Sequence, residues 1–282
     1  MSQDIQWGST RKLGVIGCGN MAGAIVRGLV TSQVVPASSL YISSASGSSS
    51  QRLADEIGAH ASTNDVVAAT CDVIILGIKP HIVPEIAKNW PSRADKPLII
   101  SIAAGLTSKH LEELFPSAHV VRTMPNMAAA VRASVTAVCP GRSATDNDTA
   151  LTHLIMGAVG STVAIPESSM STFIALAGSS PAFVFRFIEA LSTAGVLGGF
   201  SKEMATRIVT QAVVGSALSL QESDEGVPLP SLRCTPAAAT DAVCSPGGTT
   251  IAGLVAMEES NFSTAVIHGA RATMRRDQEL GQ

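Results

Sequence analysis

Charged side chains are scarce in this sequence of 282 residues: Asp, Glu, Lys and Arg make up only 15%, while hydrophobic residues make up 46%. The net charge is −3, there is no basic tract, and only one Tyr and two Trp are present. Little is therefore available to bind a phosphate backbone or to stack on bases, so nucleic acid is excluded as an expected partner. A chain so poor in surface charge is expected to bury part of its surface between subunits.

The five cysteines are informative through what they lack. They are odd in number and scattered, without a C-x-x-C pair and without a Cys/His cluster at metal-ligand spacing. This pattern indicates a reducing compartment, with neither disulfides nor a bound metal. The first residues lack the cationic and apolar regions of a signal peptide, and the apolar stretch 208–220 is too short and too often interrupted to span a bilayer. We therefore expect a cytoplasmic protein with no membrane partner.

A glycine-rich turn stands near the start of the chain. A short apolar strand at residues 12–16 runs directly into a G-x-G-x-x-A motif, and an amphipathic helix follows over residues 21–31. Gly17 makes the tight turn, Gly19 lets the backbone approach a pyrophosphate, and Ala22 lets the helix pack on the strand. The strand, turn and helix context predicts dinucleotide binding.

The end of the second strand, at residues 40–42, bears on the choice of coenzyme. An NAD-binding protein would carry Asp or Glu there to hold the ribose hydroxyls. This chain has a Ser/Gly-rich run at 43–50 and then Arg52. Hydroxyls, glycine amides and a nearby cation suit a 2′-phosphate, so NADPH is favoured over NADH. The alternative interpretation is a flexible Ser/Gly linker.

Three later apolar runs, at residues 73–78, 97–102 and 120–123, are typical of strands that are buried on both faces of a parallel sheet. Each ends in small, polar or proline residues. The carboxyl ends of parallel strands share one edge, so these residues are expected along the crevice where a nicotinamide would lie. Further strands are predicted at 134–138 and 162–165.

The chain thus reads as α/β, with an N-terminal Rossmann domain over residues 1–165, a doubly wound and mostly parallel sheet, and an all-α domain over residues 166–282. Ser180 and Pro181 read as the N-cap and the first residue of one long helix, and Ser201 reads as the cap of the next. Both helices are apolar or small on most faces, which predicts that a partner subunit covers them in a homodimer.

The last part of the chain holds a Pro-rich stretch at 226–236, predicted to be a loop, and a final helix predicted at 262–280. Between them, residues 244–253 read C-S-P-G-G-T-T-I-A-G, the pattern of a helix N-terminus that is open to a ligand. The free amides and the positive end of the helix dipole suit a carboxylate or a phosphate. The alternative is an ordinary glycine turn with threonine caps.

Taken together, these motifs resemble the pyrroline-5-carboxylate reductase family over essentially the whole chain. The matching stretches are I-G-C-G-N-M (16–21), I-K-P (78–80), S-I-A-A-G (101–105), M-P-N (124–126), G-S-S-P-A-F (178–183) and S-P-G-G-T-T-I-A-G-L (245–254). The resemblance implies a Rossmann domain with a helical dimerisation domain, often assembled as a pentamer of dimers. It implies reduction of 1-pyrroline-5-carboxylate to L-proline with NADPH or NADH.

The resemblance also implies the site residues. Cofactor contacts would come from Ile16, Gly17, Cys18, Gly19, Asn20 and Met21 at the pyrophosphate, from Ser44 and Asn64 on the adenosine side, and from Gly77, Ile78, Lys79, Pro80, Ile102, Ala103 and Ala104 beside the nicotinamide half. Substrate contacts would come from Glu167, Ser245, Gly247, Gly248, Thr249 and Thr250. Thr250 would be the catalytic residue, and no metal is implied.

The sequence departs from the family pattern at Ser180 and Phe183, where the family has glycine and tyrosine, and at 235–241, which keeps only the Pro and Asp of the usual H-P-x-x-L-R-D. Two rival functions stay open. A β-hydroxyacid dehydrogenase would need a lysine on a helical face of the second domain, and Lys202 is the only lysine there. A non-catalytic NADP-binding sensor would need no such residue.

Overall fold

The computed structural model describes residues 6–221 and 235–280. Their contacts divide the chain into two compact units. The sheet unit contains the described residues up to Ser179 and those from Thr273 onward, and the helical unit is Ser180–Ala272.

An eight-stranded sheet is the frame of the sheet unit. Its strands are β1 (Leu13–Ile16), β2 (Leu40–Ser43), β3 (His60–Ser62), β4 (Val73–Leu76), β5 (Leu98–Ser101), β6 (His119–Met124), β7 (Ser134–Pro140) and β8 (Gly160–Ala164). Their order is β3-β2-β1-β4-β5-β6-β7-β8, and all neighbours are parallel except β6 and β7. The first six strands follow the Rossmann order, so the predicted fold is confirmed.

The helices of the sheet unit cover both faces of the sheet. They are α1 (Asn20–Thr31), α2 (Ser48–Ile57), α3 (Asn64–Thr70), α4 (Val83–Lys88), α5 (Ser108–Leu114), α6 (Asp146–Gly157) and α7 (Met170–Phe173). Two buried clusters separate helices from sheet, one containing Ile25 and Leu29 of α1 and the other Leu111 of α5. The central strands β1, β4 and β5 are fully buried, which explains their uninterrupted apolar runs.

The helical unit is built from α8 (Ser180–Leu197), α9 (Lys202–Leu220), α10 (Pro236–Val243), α11 (Thr249–Glu259) and most of α12 (Phe262–Leu280). Ser201 caps α9 as predicted, because its side chain accepts a hydrogen bond from Met204 N at 3.2 Å. Many large apolar side chains are exposed on these helices, including Phe185, Leu191, Ile208, Val255 and Ile267. Apolar surface of this extent is typical of an interface with another subunit.

The long helix predicted from Ser180 is confirmed as α8, and a bend at Ser179 separates it from the preceding π-helical turn, Ile174–Gly178. The Ser/Gly-rich run is no linker, since Ser48 already lies in α2. α10 was not predicted; Thr235 caps it and Pro236 is its first residue. The predicted Pro-rich loop lies mostly outside the described residues.

The predicted domain boundary at 165/166 marks the end of the sheet, since β8 ends at Ala164. The compact sheet unit extends further, to Ser179, because Met170 and Ile174 pack in a cluster with Ala137 and Cys139 of β7. One helical run of the described chain, Glu167–Leu197, is long and apolar enough to cross a membrane by length and composition alone; an 18-residue window in it has a mean hydropathy of 1.4, and 17% of that window is buried.

Candidate active site

The glycine turn lies where β1 ends and α1 begins. Gly17 has a φ of +102°, and a Cβ on it would stand 2.5 Å from Gly77 O, so no other residue fits without strain. Gly19 precedes α1, which no side chain of the described residues caps, and no described atom lies within 4 Å of the place of its missing Cβ. Backbone amides at an uncapped helix N-terminus beside open space suit a pyrophosphate. These residues therefore fit a dinucleotide.

The turn after β4 packs directly on the glycine turn. Gly77 N donates to Ile16 O at 2.8 Å, and the methyl group of Ala22 stands 2.6 Å from where a Cβ on Gly77 would lie. Ile78 and Pro80 are half-buried, whereas Lys79 is exposed at the start of a short 3₁₀ turn. The backbone of this turn, rather than the Lys79 ammonium group, thus forms part of the edge.

The loop after β5 continues the same edge. Ile102 N donates to Leu76 O at 3.3 Å, and Ala103 N donates to the side chain of Ser101 at 3.3 Å. Ala104 is exposed and Ala103 is buried. Because β1, β4 and β5 are parallel neighbours, the predicted nicotinamide-side residues lie along one sheet edge.

The predicted adenosine side lies at the ends of β2 and β3. The buried Ser43 hydroxyl lies 3.2 Å from Val15 O and 2.8 Å from Asn64 Oδ1. The Ser44 hydroxyl lies 3.0 Å from Ser50 Oγ and accepts a hydrogen bond from Ser50 N at 3.2 Å. Ser44 is therefore tied to the first turn of α2, where amides and hydroxyls are available to a phosphate.

A second group of predicted residues opens α11 in the helical unit. Gly247 has a φ of +67°, and a Cβ on Gly248 would stand 2.2 Å from Ser245 Oγ, so the turn requires both glycines. Gly248 N donates to Ser245 O at 3.0 Å, which closes the turn. No described side chain caps α11, and Thr249 and Thr250 are exposed in its first turn. α11 therefore begins at an uncapped N-terminus, and the alternative of a turn closed by threonine caps is wrong.

Glu167 lies in the sheet unit as the centre of a polar cluster. Its carboxylate pairs with the buried Arg122 of β6, accepts a hydrogen bond from Ser108 N at 3.1 Å, and lies 3.5 Å from Cys139 Sγ. Burial raises the pKa of Glu167, but the hydrogen bonds from Ser108 and the charge of Arg122 outweigh it, so the pKa is lowered. The buried Cys139 thiol has a pKa raised to about 12, by burial first and then by the Glu167 charge.

Sequence reasoning missed Arg122 and Ser108 as partners of Glu167. It also missed the role of Asn126, whose amide nitrogen donates to Ala177 O at 3.0 Å. The M-P-N motif did mark the end of β6, but nothing in the sequence indicates which distant carbonyl its amide reaches.

Other candidate groups are engaged elsewhere or stand alone. Lys202 Nζ lies 2.8 Å from Glu189 Oε1 and 3.3 Å from Thr193 Oγ1, so the lysine needed by a hydroxyacid dehydrogenase is held in an ion pair. The described residues contain no group of three or more His, Cys, Asp or Glu that could hold a metal ion.

A Rossmann-ordered sheet with a glycine turn at its edge, followed by a helical unit with an open helix N-terminus, defines a two-unit nicotinamide-dependent oxidoreductase. Comparisons with known proteins narrow this class. The family described as pyrroline-5-carboxylate reductase dimerisation matches residues 167–280, and that described as NADP oxidoreductase, coenzyme F420-dependent, matches residues 12–105.

Among curated relatives, the pyrroline-5-carboxylate reductase of Escherichia coli is 36% identical over 275 residues, covering 96% of this chain and 99% of the relative. That of Synechocystis is 34% identical over 272 residues, covering 96% of this chain and 98% of the relative. The solved pyrroline-5-carboxylate reductase of Coxiella burnetii has a TM-score of 0.87 at 29% identity, covering 97% of this chain and all of that one. A Plasmodium falciparum pyrroline carboxylate reductase solved with NADP bound has a TM-score of 0.82 at 28% identity, covering 97% of this chain and 99% of that one. The chain belongs to the pyrroline-5-carboxylate reductase family.

Proposed function

We propose that this chain reduces 1-pyrroline-5-carboxylate to L-proline with NADPH or NADH, the last step of proline synthesis. The observation that carries the proposal is the N-terminus of α11, which no described side chain caps and which presents Thr249 and Thr250 in its first turn. The substrate is small and has one carboxylate and one imine nitrogen. A helix N-terminus beside two hydroxyls matches both groups.

The roles of the coenzyme and of the protein follow from the chemistry of an iminium ion, which accepts a hydride readily. Bound NAD(P)H supplies that hydride. The turn Ser245–Gly248 and the first amides of α11 hold the substrate carboxylate, and the Thr250 hydroxyl hydrogen-bonds the ring nitrogen. The protein chiefly has to bind and orient, so the reaction requires neither an acid-base histidine nor a metal. We propose that Glu167, which pairs with Arg122 in the sheet unit, also takes part in substrate binding.

NADPH is the coenzyme that the edge residues favour. The run 43–50 contains no carboxylate, and Ser44, Ser50 and the N-terminus of α2 are joined by hydrogen bonds. An acidic residue there would repel a 2′-phosphate, whereas hydroxyls and amides hydrogen-bond it.

Self-association is supported by the matched dimerisation family and by the exposed apolar side chains of α8, α9, α11 and α12. We propose that the homodimer forms through these helices and that five dimers assemble further, in the cytoplasm and away from the membrane. The apolar run Glu167–Leu197 then serves subunit contact instead of membrane insertion. Native mass measured by light scattering distinguishes two subunits from ten, and recovery of the protein in the membrane fraction would contradict the soluble location.

The test is the loss of reduced-nicotinamide absorbance with 1-pyrroline-5-carboxylate, measured with NADPH and with NADH beside a panel of hydroxyacids with NADP. We expect the imine to be reduced and none of the hydroxyacids to be oxidised. Thr250→Ala should lower turnover by about a hundredfold, the order expected when the reacting group loses one hydrogen-bond partner, with NADPH affinity unchanged. Thr250→Ser keeps the hydroxyl and should retain most activity.

Thr70→Ala is the matched control, because the Thr70 hydroxyl donates to Val66 O of its own helix at 2.8 Å. It should turn over like the wild type. If NADPH binds but no imine is reduced, the sensor interpretation takes first place. If Thr250→Ala turns over normally, Thr250 has no role in the reaction.

A further inference from the structure

The helical run that leads out of the sheet unit contains a proline where a main-chain donor is needed. In an α-helix the carbonyl of Ala177 would accept a hydrogen bond from the N–H of residue 181, and residue 181 is proline. A proline ring also crowds the carbonyl four residues before it and bends the helix there. Immediately before this point the run changes to a π-helical turn, Ile174–Gly178, in which Ser179 N donates to Ile174 O at 2.8 Å.

The side chain of Asn126 supplies the missing donor. Its Nδ2 donates to Ala177 O at 3.0 Å, and the residue is 9% exposed. Asn126 Oδ1 accepts a hydrogen bond from Ala128 N at 3.2 Å, and Asn126 N donates to Ser134 Oγ at 3.1 Å. Both ends of the amide are thus used, and the residue is fixed from both sides. A buried amide that is satisfied in this way specifies one orientation.

The bond joins the π-turn to the sheet edge that we assign to the nicotinamide. β6 is the parallel neighbour of β5, so the loop that begins after Met124 lies beside the loop 102–104. Thr123 Oγ1 donates to Ser101 O at 3.1 Å, and the Ser101 hydroxyl accepts from Ala103 N at 3.3 Å. Met124 also packs towards the π-turn, because a Cβ on Gly178 would stand 3.7 Å from its methyl group. A chain of direct contacts therefore runs from the π-turn to the loop 102–104.

We propose that Asn126 is a positioning residue for hydride transfer: its amide replaces the main-chain donor that Pro181 lacks, and so holds the π-turn and the nicotinamide-side loops in one arrangement. This inference rests on the proposed reductase function. π-Turns occur often at functional sites, and here the cause of the turn and the residue that stabilises it are both visible. Such a residue acts through the geometry of the reacting atoms, because small displacements of those atoms lower the rate of the chemical step.

The first test is Asn126→Asp, which keeps the shape and the acceptor for Ala128 N but removes the donor to Ala177 O. We expect kcat for 1-pyrroline-5-carboxylate reduction to fall by about tenfold or more, as expected when a buried polar group loses its partner, with the Kd of NADPH within about twofold of wild type. Asn126→Ser is the second variant, because it avoids a carboxylate beside a carbonyl. Asn89→Asp makes the same change at an exposed position of the sheet unit and should leave kcat unchanged.

The decisive test restores the donor from the other side. Pro181→Ala gives residue 181 an N–H that can reach Ala177 O, so in that background Asn126→Asp should cost less than about threefold in kcat. The proposal would be overturned if Asn126→Asp lowered kcat as much in the Pro181→Ala protein as it does in the protein that keeps Pro181. It would also be overturned if Asn126→Asp alone had the kcat of the wild type. Hydrogen exchange of the peptide that contains 174–180 gives a readout that is independent of activity. Faster exchange in Asn126→Asp, reversed by Pro181→Ala, is expected even if the wild type reduces no imine, whereas unchanged exchange would contradict the assignment.

Discussion

The methyl group of Ala22 occupies the space that a side chain on Gly77 would need: a Cβ on Gly77 would stand 2.6 Å from Ala22 Cβ and 3.2 Å from Gly17 O. The last position of the glycine motif and the turn after β4 are therefore matched in size. This contact lets α1 approach the sheet closely enough for its N-terminus to lie beside the ends of β1 and β4. It explains why small residues stand at both positions.

Gly77→Ala should lower the free energy of unfolding by about 1–3 kcal/mol, because an added methyl group in a closed contact forces neighbouring backbone to move. Urea denaturation at matched protein concentration measures this. Gly157→Ala is the control, since Gly157 ends α6 with no described atom within 4 Å of the place of its Cβ. Its stability should change by less than about 0.5 kcal/mol. Equal effects of the two substitutions would mean that the Ala22 contact is not tight.

Gly19→Ala should separate cofactor binding from folding. The place of the Gly19 Cβ is free of described atoms within 4 Å, so the protein should fold with normal stability. A methyl group at that position would stand where the backbone has to approach the pyrophosphate, and the Kd for NADPH should rise by about tenfold or more. Fluorescence titration with NADPH, beside thermal unfolding without it, measures both properties. Wild-type affinity would show that the pyrophosphate lies elsewhere.

Much of the sheet unit could be predicted because its signals are local. The continuous apolar runs of β4 and β5 reflect burial on both faces, and the glycine motif is set by the turn it makes. Boundaries were less accurate: the sequence predicts the second helix at about residues 51–57, whereas α2 begins at Ser48, directly after Gly47 in a left-handed conformation.

Contacts between distant parts of the chain were not predictable from the sequence. Arg122 and Glu167 are 45 residues apart, and no local pattern indicates that they pair. Ser180 and Pro181 carry the local signal of a helix start, and α8 does begin at Ser180. Nothing local indicates the π-turn that precedes it or the hydrogen bond from Asn126 to Ala177 O, because that bond depends on a residue 51 positions away.

Ser44→Asp should reverse the coenzyme preference. A carboxylate at position 44, directly after β2, repels a 2′-phosphate and accepts hydrogen bonds from ribose hydroxyls. We expect the KM for NADPH to rise by about tenfold or more, while the KM for NADH stays level or falls. Ser38→Asp adds the same charge at an exposed position before β2 and should leave the preference unchanged. If Ser44→Asp kept its preference for NADPH, the 2′-phosphate would lie away from this loop.

The Glu167 cluster should make stability depend on pH. The native pKa of Glu167 is below its ordinary value of 4.5, so the charged form stabilises the fold above that value and the contribution is lost as the pH falls through the lowered native pKa. At neutral pH, Glu167→Gln leaves Arg122 buried without its anion and should cost about 2 kcal/mol, a modest value because Glu167 is partly exposed. Urea denaturation of both proteins should show this difference shrinking below pH 4.5, because the carboxylate is protonated first in the unfolded chain and, below its lowered native pKa, in the folded protein as well. Glu85→Gln, at an exposed carboxylate of α4, controls for the change of net charge. A difference that stayed constant with pH would mean that the ion pair with Arg122 is not what Glu167 contributes.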